Sequence, residues 1–380
     1  MSIAAPTTAA AVDRYWLDRA AAMAVRGHGG AEPNPMVGCI IVDESGRAVG
    51  SGYHARCGGP HAEVAALAAA GPAARGSTLY VSLEPCTHHG RTPPCVDAIT
   101  EAAPARVCFG CPDPHPAAGG GAETLRARGI EATHVPSESC RLVSAPFTRL
   151  LRTGLPWVTA KWAQTIDGRI ATRSGDSKWI SGARSRRLVH RERGRVDGVL
   201  TGIGTVRTDD PLLTARGVRR RRTAARLVID PHAALDLDSA LIRSIDEAPV
   251  IVVVSPGADR RDVDALRSRG VDVVEGPTCG PRIDLTGTLT LLARTRGMHS
   301  ILVEAGPGLL TGLFDEGLIC EAAVFVAPRL IGDPQAIPPL TGRAPARIES
   351  ADTLHLRSVH HRGDDVLLRY GVSGAAGSSD

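Results

Sequence analysis

Three potential zinc ligands and one carboxylate lie within a short stretch of the N-terminal part of the chain. Glu63 follows His61 by two residues, and Cys86 and Cys95 come after a short apolar segment. One imidazole and two thiolates suit zinc, and three protein ligands leave a fourth tetrahedral position open, which is typical of catalytic sites. Zinc in such a site lowers the pKa of a bound water to about 7. Glu63 is therefore a candidate to move a proton beside the metal without ligating it.

The conjunction of these residues is more informative than any one of them. A His-x-Glu pair occurs on many helices, and nine cysteines are scattered over the 380 residues. Together with the proline before Cys86, the set gives the H-x-E and P-C arrangement of zinc-dependent nucleobase deaminases, in which the carboxylate is the general acid and base. The eight residues between the two cysteines exceed the spacing of that motif. A structural zinc site and reactive cysteines without metal are the alternatives.

Length and composition favour a cytoplasmic enzyme. A chain of 380 residues allows two or three domains. We expect no membrane partner and a reducing compartment, because no apolar run approaches a membrane span, the N-terminus lacks a signal-peptide pattern and the cysteine number is odd. A net charge of +4 is too weak to predict nucleic acid as the main partner. The run at 219–222 is interpreted as a solvated loop.

Lysine is nearly absent from the chain. Of 44 basic residues, only Lys161 and Lys178 are lysines. Arginine replaces lysine wherever a generic positive charge is enough, so a retained ammonium indicates a place where a guanidinium is not equivalent. Both lysines lie in the stretch where we predict a second active site.

The elements around the zinc ligands follow an α/β pattern up to about residue 150. Apolar spacing, caps and turn residues predict a series of short elements: helices at 13–27, 61–70, 93 onward and 122–128, and strands at 38–42, 78–83, 106–110 and 130–135. Cys86 then follows a strand, and Cys95 lies at a helix N-terminus, where the dipole and free amides favour a thiolate.

A second α/β pattern begins at about residue 156. The predicted strands are at 157–161, 198–201, 226–230, 250–255, 271–274 and 300–304, and helices include 181–193, 259–269 and 309–318. Glycine-rich turns at 202–204 and 304–308 lie between a strand and a helix, where backbone amides can bind phosphate. Either turn alone is also compatible with a plain connection. With Asp209 and Arg216 nearby, they indicate a nucleotide cofactor and a phosphorylated substrate.

These residues resemble the bifunctional deaminase/reductases of riboflavin biosynthesis. Segments 34–38, 61–64, 84–95 and 112–116 resemble the deaminase half, and segments 167–171, 177–180, 205–214 and 303–307 resemble the reductase half. The resemblance implies an α/β protein with a cytidine-deaminase-like α/β/α domain at 13–148 and a dihydrofolate-reductase-like α/β domain at 156–372. Flexible tails are expected at 1–12 and 373–380.

The resemblance also implies roles for individual residues. In the first domain, zinc would be held by His61, Cys86 and Cys95, with Glu63 as the catalytic proton carrier. The substrate of the first domain would be bound by Asn34, His88 and Arg91. Positions that match substrate-binding residues of the second domain are Lys161, Ser177, Arg193, Leu213, Arg216 and Glu304. Positions that match NADPH-binding residues are Ala163, Trp179, Thr205, Asp209, Gly306, Pro307, Gly308, Leu309, Leu310, Thr311 and Gly312.

The implied activity has two steps on a small molecule. Zinc-dependent hydrolysis would deaminate a diaminopyrimidinone ribosyl phosphate, and NADPH would then reduce the ribosyl chain to a ribityl phosphate. A homo-oligomer is expected. Three alternatives stay open: a nucleic-acid-editing deaminase, an interaction protein with structural zinc, and a chain with one inactive half.

Overall fold

The structure, a computed structural model, describes residues 8–372. The chain divides into two compact units, Met1–Thr153 and Gly154–Asp380. The predicted tail at 373–380 and the first part of the predicted tail at 1–12 lie outside the described residues. Residues 9–12 are not a tail, because the first helix begins at Ala9, where the Thr8 hydroxyl oxygen accepts a hydrogen bond from the Ala11 amide at 3.3 Å.

The N-terminal unit contains five helices and five strands among its described residues. In chain order they are α1 (Ala9–Ala24), β1 (Gly38–Val42), β2 (Ala48–Tyr53), α2 (Ala62–Ala70), β3 (Thr78–Val81), α3 (Cys95–Ala102), β4 (Arg106–Phe109), α4 (Gly121–Ala127), β5 (Glu131–His134) and α5 (Glu138–Thr153). The strand order is β2-β1-β3-β4-β5. β1 is antiparallel to β2 and β3, whereas β3, β4 and β5 are parallel. α5 extends past residue 148, where the sequence predicted the domain to end.

Side-chain alternation along the strands builds a hydrophobic core on each face of this sheet. In β1, Cys39 and Ile41 pack with residues of α2, α3 and α4, and Ile40 and Val42 pack with residues of α1 and α5. Strands β3 and β4 alternate in the same way. The result is the α/β/α sandwich that the sequence predicted.

β2 and α2 approach each other at backbone distance. A Cβ added at Gly52 would lie 2.6 Å from the carbonyl oxygen of Ala62, and one at Gly50 would lie 2.5 Å from that of Ala66. Only glycine fits at these two positions, and the strand thereby fixes the helix that follows His61.

The C-terminal unit contains eleven strands and six helices among its described residues. In chain order they are β6 (Trp157–Thr165), α6 (Ala183–Arg193), β7 (Gly198–Gly202), α7 (Ile203–Asp209), β8 (Ala225–Ile229), α8 (Ala240–Arg243), β9 (Val250–Val254), α9 (Arg260–Ser268), β10 (Asp272–Glu275), β11 (Thr278–Cys279), β12 (Arg282–Ile283), α10 (Leu285–Arg296), β13 (Ser300–Val303), α11 (Pro307–Asp315), β14 (Glu321–Ala327), β15 (Leu354–Arg362) and β16 (Asp365–Val372).

Nine of these strands form one sheet in the order β10-β9-β8-β7-β13-β6-β14-β16-β15. The pairs from β10 to β14 are parallel, and β16 and β15 add an antiparallel edge. Every residue of β9 is buried, as its unbroken apolar run predicts for an inner parallel strand. None of the helices described in either unit has the length and apolar character needed to cross a membrane.

Candidate active sites

The three zinc-ligand candidates lie at the ends of secondary-structure elements. His61 is the N-cap residue of α2, Cys86 lies in the loop after β3, and Cys95 is the first residue of α3, directly after Pro94. The proline at the N-cap of α3 and the extended backbone of His61 place both residues at helix N-termini, where the helix dipole favours negative charge. The local sequence therefore positions the ligands as predicted.

The geometry of these side chains fits a zinc ion. His61 Nδ1 lies 3.2 Å from Cys95 Sγ and 3.5 Å from Cys86 Sγ. All ligand atoms lie within 4.8 Å of one another, close to the roughly 3.5–3.8 Å edges of a tetrahedron around zinc. Thr92 Oγ1 lies 3.3 Å from His61 Nε2, so the hydroxyl orients the ring with Nδ1 toward the thiols. Among the described residues the cluster has three His, Cys or acidic members, which leaves the fourth position for a catalytic site.

The protonation of these groups also suits metal binding. Hydrogen bonds from Cys95 and His61 outweigh burial and lower the pKa of Cys86 to about 4, which gives the thiolate that binds metal. The hydrogen bond to Cys86 raises the pKa of His61.

Glu63 lies in the first turn of α2, and 3% of its surface is exposed. Burial, followed by the negative charge of Cys86, raises the pKa of its carboxyl group to about 7. A carboxyl group with such a pKa can both accept and donate a proton near neutral pH.

Replacing Cys86 with serine is expected to reduce the zinc content to less than about a tenth of one equivalent. The change removes one of three ligands and replaces a thiolate with a neutral hydroxyl group. Elemental analysis of the dialysed protein measures this, with Cys111→Ser as the control because Cys111 lies outside the cluster. Full zinc retention in Cys86→Ser would show that Cys86 is not a ligand.

Asn34 and Arg91 meet at one small group of side chains. Cys57 Sγ lies 4.0 Å from Asn34 Oδ1 and 3.7 Å from an Arg91 guanidinium nitrogen. The Asn34 side-chain amide nitrogen lies 3.2 Å from His54 Nε2, and His54 Nδ1 lies 3.0 Å from the Pro60 carbonyl oxygen.

No sequence motif identified His54, which lies outside every segment of the resemblance. Burial lowers its pKa, so the neutral ring donates from Nδ1 to Pro60 and accepts from the Asn34 amide at Nε2. The ring of His54 lies edge-on to that of His61, with 5.2 Å between centroids. His54 therefore connects the predicted substrate residue Asn34 with the zinc cluster.

His88, the third predicted substrate residue of this domain, is exposed. Its ring stacks on that of His115, with 6.1 Å between centroids. The segment that carries His115 is held by Glu84, whose carboxylate accepts hydrogen bonds from the backbone amides of Asp113 and Ala122. The structure thus joins two of the segments that carry the resemblance.

A largely buried charge cluster lies in the C-terminal unit, with side chains that are 11–19% exposed. The Arg193 guanidinium donates two hydrogen bonds to the Glu304 carboxylate at 2.6 and 3.0 Å, and Lys161 Nζ lies 3.7 Å from the same carboxylate. The register pairs Val303 with Ala160, so Glu304, one residue further on, is level with Lys161. The sequence placed Lys161 at the end of a strand, and this was wrong, because β6 continues to Thr165 alongside β14.

The charges of this cluster are mutually stabilised. Burial raises the pKa of Glu304, but Arg193 and Lys161 more than offset burial and lower that pKa to about 2. Burial lowers the pKa of Lys161, and Glu304 opposes this shift. The guanidinium of Arg193 is thus occupied by a carboxylate, so Arg216 is the more accessible of the two arginines among the predicted substrate residues.

The loop that carries Leu213 and Arg216 adjoins this cluster. Arg193 Nη1 donates to the Thr214 carbonyl oxygen at 3.2 Å, and the Arg216 amide lies 3.3 Å from His190 Nδ1. Leu213 is buried with a φ of 53°, a left-handed conformation that is unusual for leucine. The Arg216 side chain is exposed.

The two glycine-rich turns lie side by side. The Gly306 amide donates to Thr205 Oγ1 at 2.9 Å, which joins the turn before α11 to the start of α7. No heavy atom of the described chain lies within 4 Å of a Cβ added at Gly204 or Gly308, so both turns border open space. The first turn of α11 also offers free backbone amides. This arrangement offers room for the phosphates of a dinucleotide, and the cofactor role of residues 306–312 stays a prediction.

The remaining predicted residues lie on neighbouring segments. Ser177 Oγ donates to Asp209 Oδ1 at 3.4 Å, and Lys178 Nζ donates to the Asp209 carbonyl oxygen at 3.1 Å. Trp179 is 62% exposed, and its ring lies 4.6 Å from the Arg186 guanidinium carbon. Ala163 is half-buried in β6, opposite Phe325 of β14.

Each of the two units matches a known protein family. The cytidine and deoxycytidylate deaminase zinc-binding region matches residues 10–111, and the RibD C-terminal domain matches residues 156–368. The riboflavin biosynthesis protein RibD of Aquifex aeolicus is 38% identical over 361 residues, which cover 94% of this chain and 98% of that protein. This chain belongs to the RibD family. RibD of Escherichia coli is 36% identical and covers 94% of this chain and 98% of its own length.

Solved structures of RibD proteins extend over the same residues. Acinetobacter baumannii RibD is 33% identical with a TM-score of 0.80, and covers 96% of this chain and 99% of that chain. A Thermotoga maritima diaminohydroxyphosphoribosylaminopyrimidine deaminase/5-amino-6-(5-phosphoribosylamino)uracil reductase is 30% identical with a TM-score of 0.80, and covers 96% and 100%. The predicted family, fold class and zinc-binding domain are confirmed. The roles of individual residues, the homo-oligomer and the cytoplasmic location stay predictions.

Proposed function

We propose that this chain performs two successive steps of riboflavin biosynthesis at the two sites described above. The N-terminal site hydrolyses the amino group of 2,5-diamino-6-(5-phosphoribosylamino)pyrimidin-4(3H)-one, and the C-terminal site reduces the ribosyl chain of the product with NADPH. The observation that carries the proposal is the coexistence of a His61–Cys86–Cys95 cluster near Glu63 and a largely buried Lys161–Glu304–Arg193 cluster in one RibD family member.

When zinc is bound in the N-terminal site, it would act as the Lewis acid that activates the attacking water. The Glu63 carboxylate accepts a proton from that water and delivers it to the departing nitrogen, which leaves as ammonia. Asn34, held by His54, and Arg91 bind the base and phosphate of the substrate. These roles are supported by the convergence of Asn34 and Arg91 at Cys57 and by the short path from His54 to His61.

When NADPH is bound in the C-terminal site, it would supply the hydride that reduces C1′ of the ring-opened ribosylamine. Glu304 holds Lys161 and Arg193 in place, and the Lys161 ammonium donates a hydrogen bond to the sugar. Thr205 and the turn at 306–308 bind the cofactor phosphates. These roles are supported by the buried ion pairs and by the open space beside Gly204 and Gly308.

One assay tests both halves. The purified protein receives the diaminopyrimidine ribosyl phosphate with or without NADPH, and ammonia and the absorbance at 340 nm are followed together. We expect ammonia to be released without NADPH. We expect NADPH to be oxidised only when deaminated product is present. Release of ammonia with no NADPH oxidation would show that the second half is inactive. Ammonia release that required NADPH would contradict the order of the steps.

Replacing Arg216 with alanine is expected to raise the KM for the deaminated intermediate, because an exposed guanidinium beside the charge cluster is a bidentate ligand for the substrate phosphate. Where the substrate buries this contact, its loss costs on the order of 2–5 kcal/mol in binding. The Kd for NADPH is expected to stay within about twofold, and ammonia release is expected to be unchanged.

The matched control for this prediction is Arg220→Ala, which removes an exposed arginine from the same loop region. Steady-state kinetics with the isolated intermediate and a fluorescence titration with NADPH give the two constants. An unchanged KM, or a loss of NADPH binding in Arg216→Ala alone, would remove Arg216 from the substrate site.

A further inference from the structure

A pocket lined by arginines lies in the C-terminal domain, and none of its lining residues belongs to the reductase site described above. Its volume is about 510 Å³, which is within the range of small-molecule sites. Among the described residues that line it, seven are arginines and the other two are Leu188 and Val218, so none of these nine carries a carboxylate. A cavity with walls of one charge sign concentrates ligands of the opposite sign.

Three segments that are distant in sequence supply these arginines. Helix α6 supplies Arg184, Arg187 and Arg191, and Arg195 follows it. Arg219 and Arg221 come from the run at 219–222, and Arg362 comes from the end of β15. The interpretation of that run as a solvated loop is therefore incomplete, because two of its members line the cavity.

The arrangement of arginines on α6 is unfavourable for the helix itself. Arg184, Arg187 and Arg191 are three and four residues apart, a spacing at which like charges repel. Arg184 also lies in the first turn, which has no acidic residue and where the helix dipole disfavours cations. The exposed Arg191 lies 3.9 Å from the carboxylate of the half-buried Glu192, which also lies 3.8 Å from Arg369, so this long contact offsets little of the repulsion. A bound polyanion would relieve this repulsion.

Other residues of α6 serve the reductase cluster. Arg193 binds Glu304 and His190 contacts the Thr214 carbonyl, whereas the pocket is lined by residues at other positions around the helix. The arginine-lined pocket and the reductase cluster are thus formed by different side chains of one helix, and the phosphate and cofactor contacts proposed above do not use the pocket.

We propose that this pocket is a second anion site that binds a compact polyphosphate, with two or more linked phosphate groups. Guanidinium groups bind phosphate oxygens in pairs, and a converging set from three segments matches several phosphates close together. None of the described residues that line the pocket is aromatic, so this lining lacks the stacking surface with which proteins bind single-stranded nucleic acid. The phosphates come either from inorganic polyphosphate or from a nucleoside triphosphate.

Calorimetric titration of the full chain tests this site. The protein is first saturated with NADPH, so that the cofactor phosphate site is filled, and is then titrated at physiological ionic strength with tripolyphosphate, ATP, orthophosphate or a single-stranded oligonucleotide. The pocket variant is Arg187→Gln/Arg191→Gln. The charge-matched control is Arg269→Gln/Arg294→Gln, which changes two exposed arginines of the same domain outside the pocket.

We expect tripolyphosphate to bind at one site per chain and at least about tenfold more tightly than orthophosphate. The pocket variant should weaken this binding at least about tenfold, and the control should stay within about twofold. ATP binding as tightly as tripolyphosphate would support recognition of the phosphate chain alone, and tighter ATP binding would support a nucleotide as the source. Unchanged reductase turnover in the pocket variant shows that it is folded, and Arg219→Gln replaces it if it is not.

Three results would overturn the proposal. They are tripolyphosphate binding no tighter than orthophosphate, equal losses in the pocket and control variants, and an oligonucleotide that binds more tightly than tripolyphosphate and displaces it.

Discussion

Replacing Glu63 with glutamine is expected to slow ammonia release by about 10²- to 10⁴-fold while zinc binding and the fold are retained. The amide keeps the size of the side chain but cannot accept or carry the proton. Glu63 lies in the first turn of α2 behind the ligand His61 and is almost fully buried, so no bulk water can take over its role at that position.

Three measurements on the Glu63→Gln protein separate catalysis from structure. Elemental analysis gives the zinc content, the ammonia assay gives deamination, and NADPH oxidation with an already deaminated substrate gives the second activity. The last is expected to equal that of the unchanged protein. Glu44→Gln, at an exposed position of the same domain, is the matched control. Near-normal ammonia release, or loss of zinc together with activity, would contradict the role of Glu63 as proton carrier.

Replacing Glu304 with glutamine is expected to abolish the reductase activity and to lower the free energy of unfolding of the C-terminal domain by about 3–5 kcal/mol. The change leaves Arg193 and Lys161 buried without their shared carboxylate. Breaking a buried ion pair by removing one partner costs this much because the remaining charge is uncompensated. Ammonia release from the N-terminal site is expected to be unchanged.

Asp272→Asn is the matched control for Glu304→Gln. It removes a carboxylate from a surface ion pair in which the side chains of Arg296 and Asp272 are 37% and 42% exposed. Such pairs contribute about 1 kcal/mol or less to stability. Denaturant titration of the full chain, monitored with a probe of the C-terminal domain, measures the loss in free energy of unfolding for both substitutions. Equal effects of the two substitutions would show that the Glu304 cluster is not important for stability.

The unchanged protein and Glu304→Gln are also expected to differ in how their stability depends on pH. The pKa of Glu304 is lowered from 4.5 to about 2 in the folded protein, so its contribution to stability is present above pH 4.5 and is lost as the pH falls toward 2. The unchanged protein is expected to lose stability over this interval more steeply than Glu304→Gln. Parallel curves for the two proteins would contradict this assignment.

The sequence predicted the cluster of candidate zinc ligands and the inner strands because each has a local signal. The apolar run of β9 and the buried strand β1 were found from hydrophobicity alone, and His61, Glu63 and the cysteines from residue type and spacing.

Elements without a local signal were missed. β2 contains Gly50 and Gly52, which weaken a strand pattern and are retained because α2 packs against the backbone. α5 has Pro146 in its interior, and β15 is an edge strand rich in charged and imidazole side chains.

Tertiary contacts decided the details of the sites. The pairing of Arg193 with Glu304 depends on the register of β13 against β6, and the link from His54 to Asn34 joins residues twenty positions apart. Nor does the sequence show that arginines from α6, the 219–222 run and β15 line one pocket. Such juxtapositions arise only when separate segments pack, so local patterns do not encode them.

The close backbone packing of β2 on α2 bears on how the protein gains and loses its metal. Because Gly50 and Gly52 hold the helix by main-chain contact, the helix that begins after His61 and carries Glu63 is positioned by contacts that do not involve the ion. A chelator would then remove zinc from a folded domain, and added zinc would return to ligands that are already in place. Metal exchange is then expected in the native state, unlike the coupled folding of a zinc finger, whose chain is ordered by the metal itself.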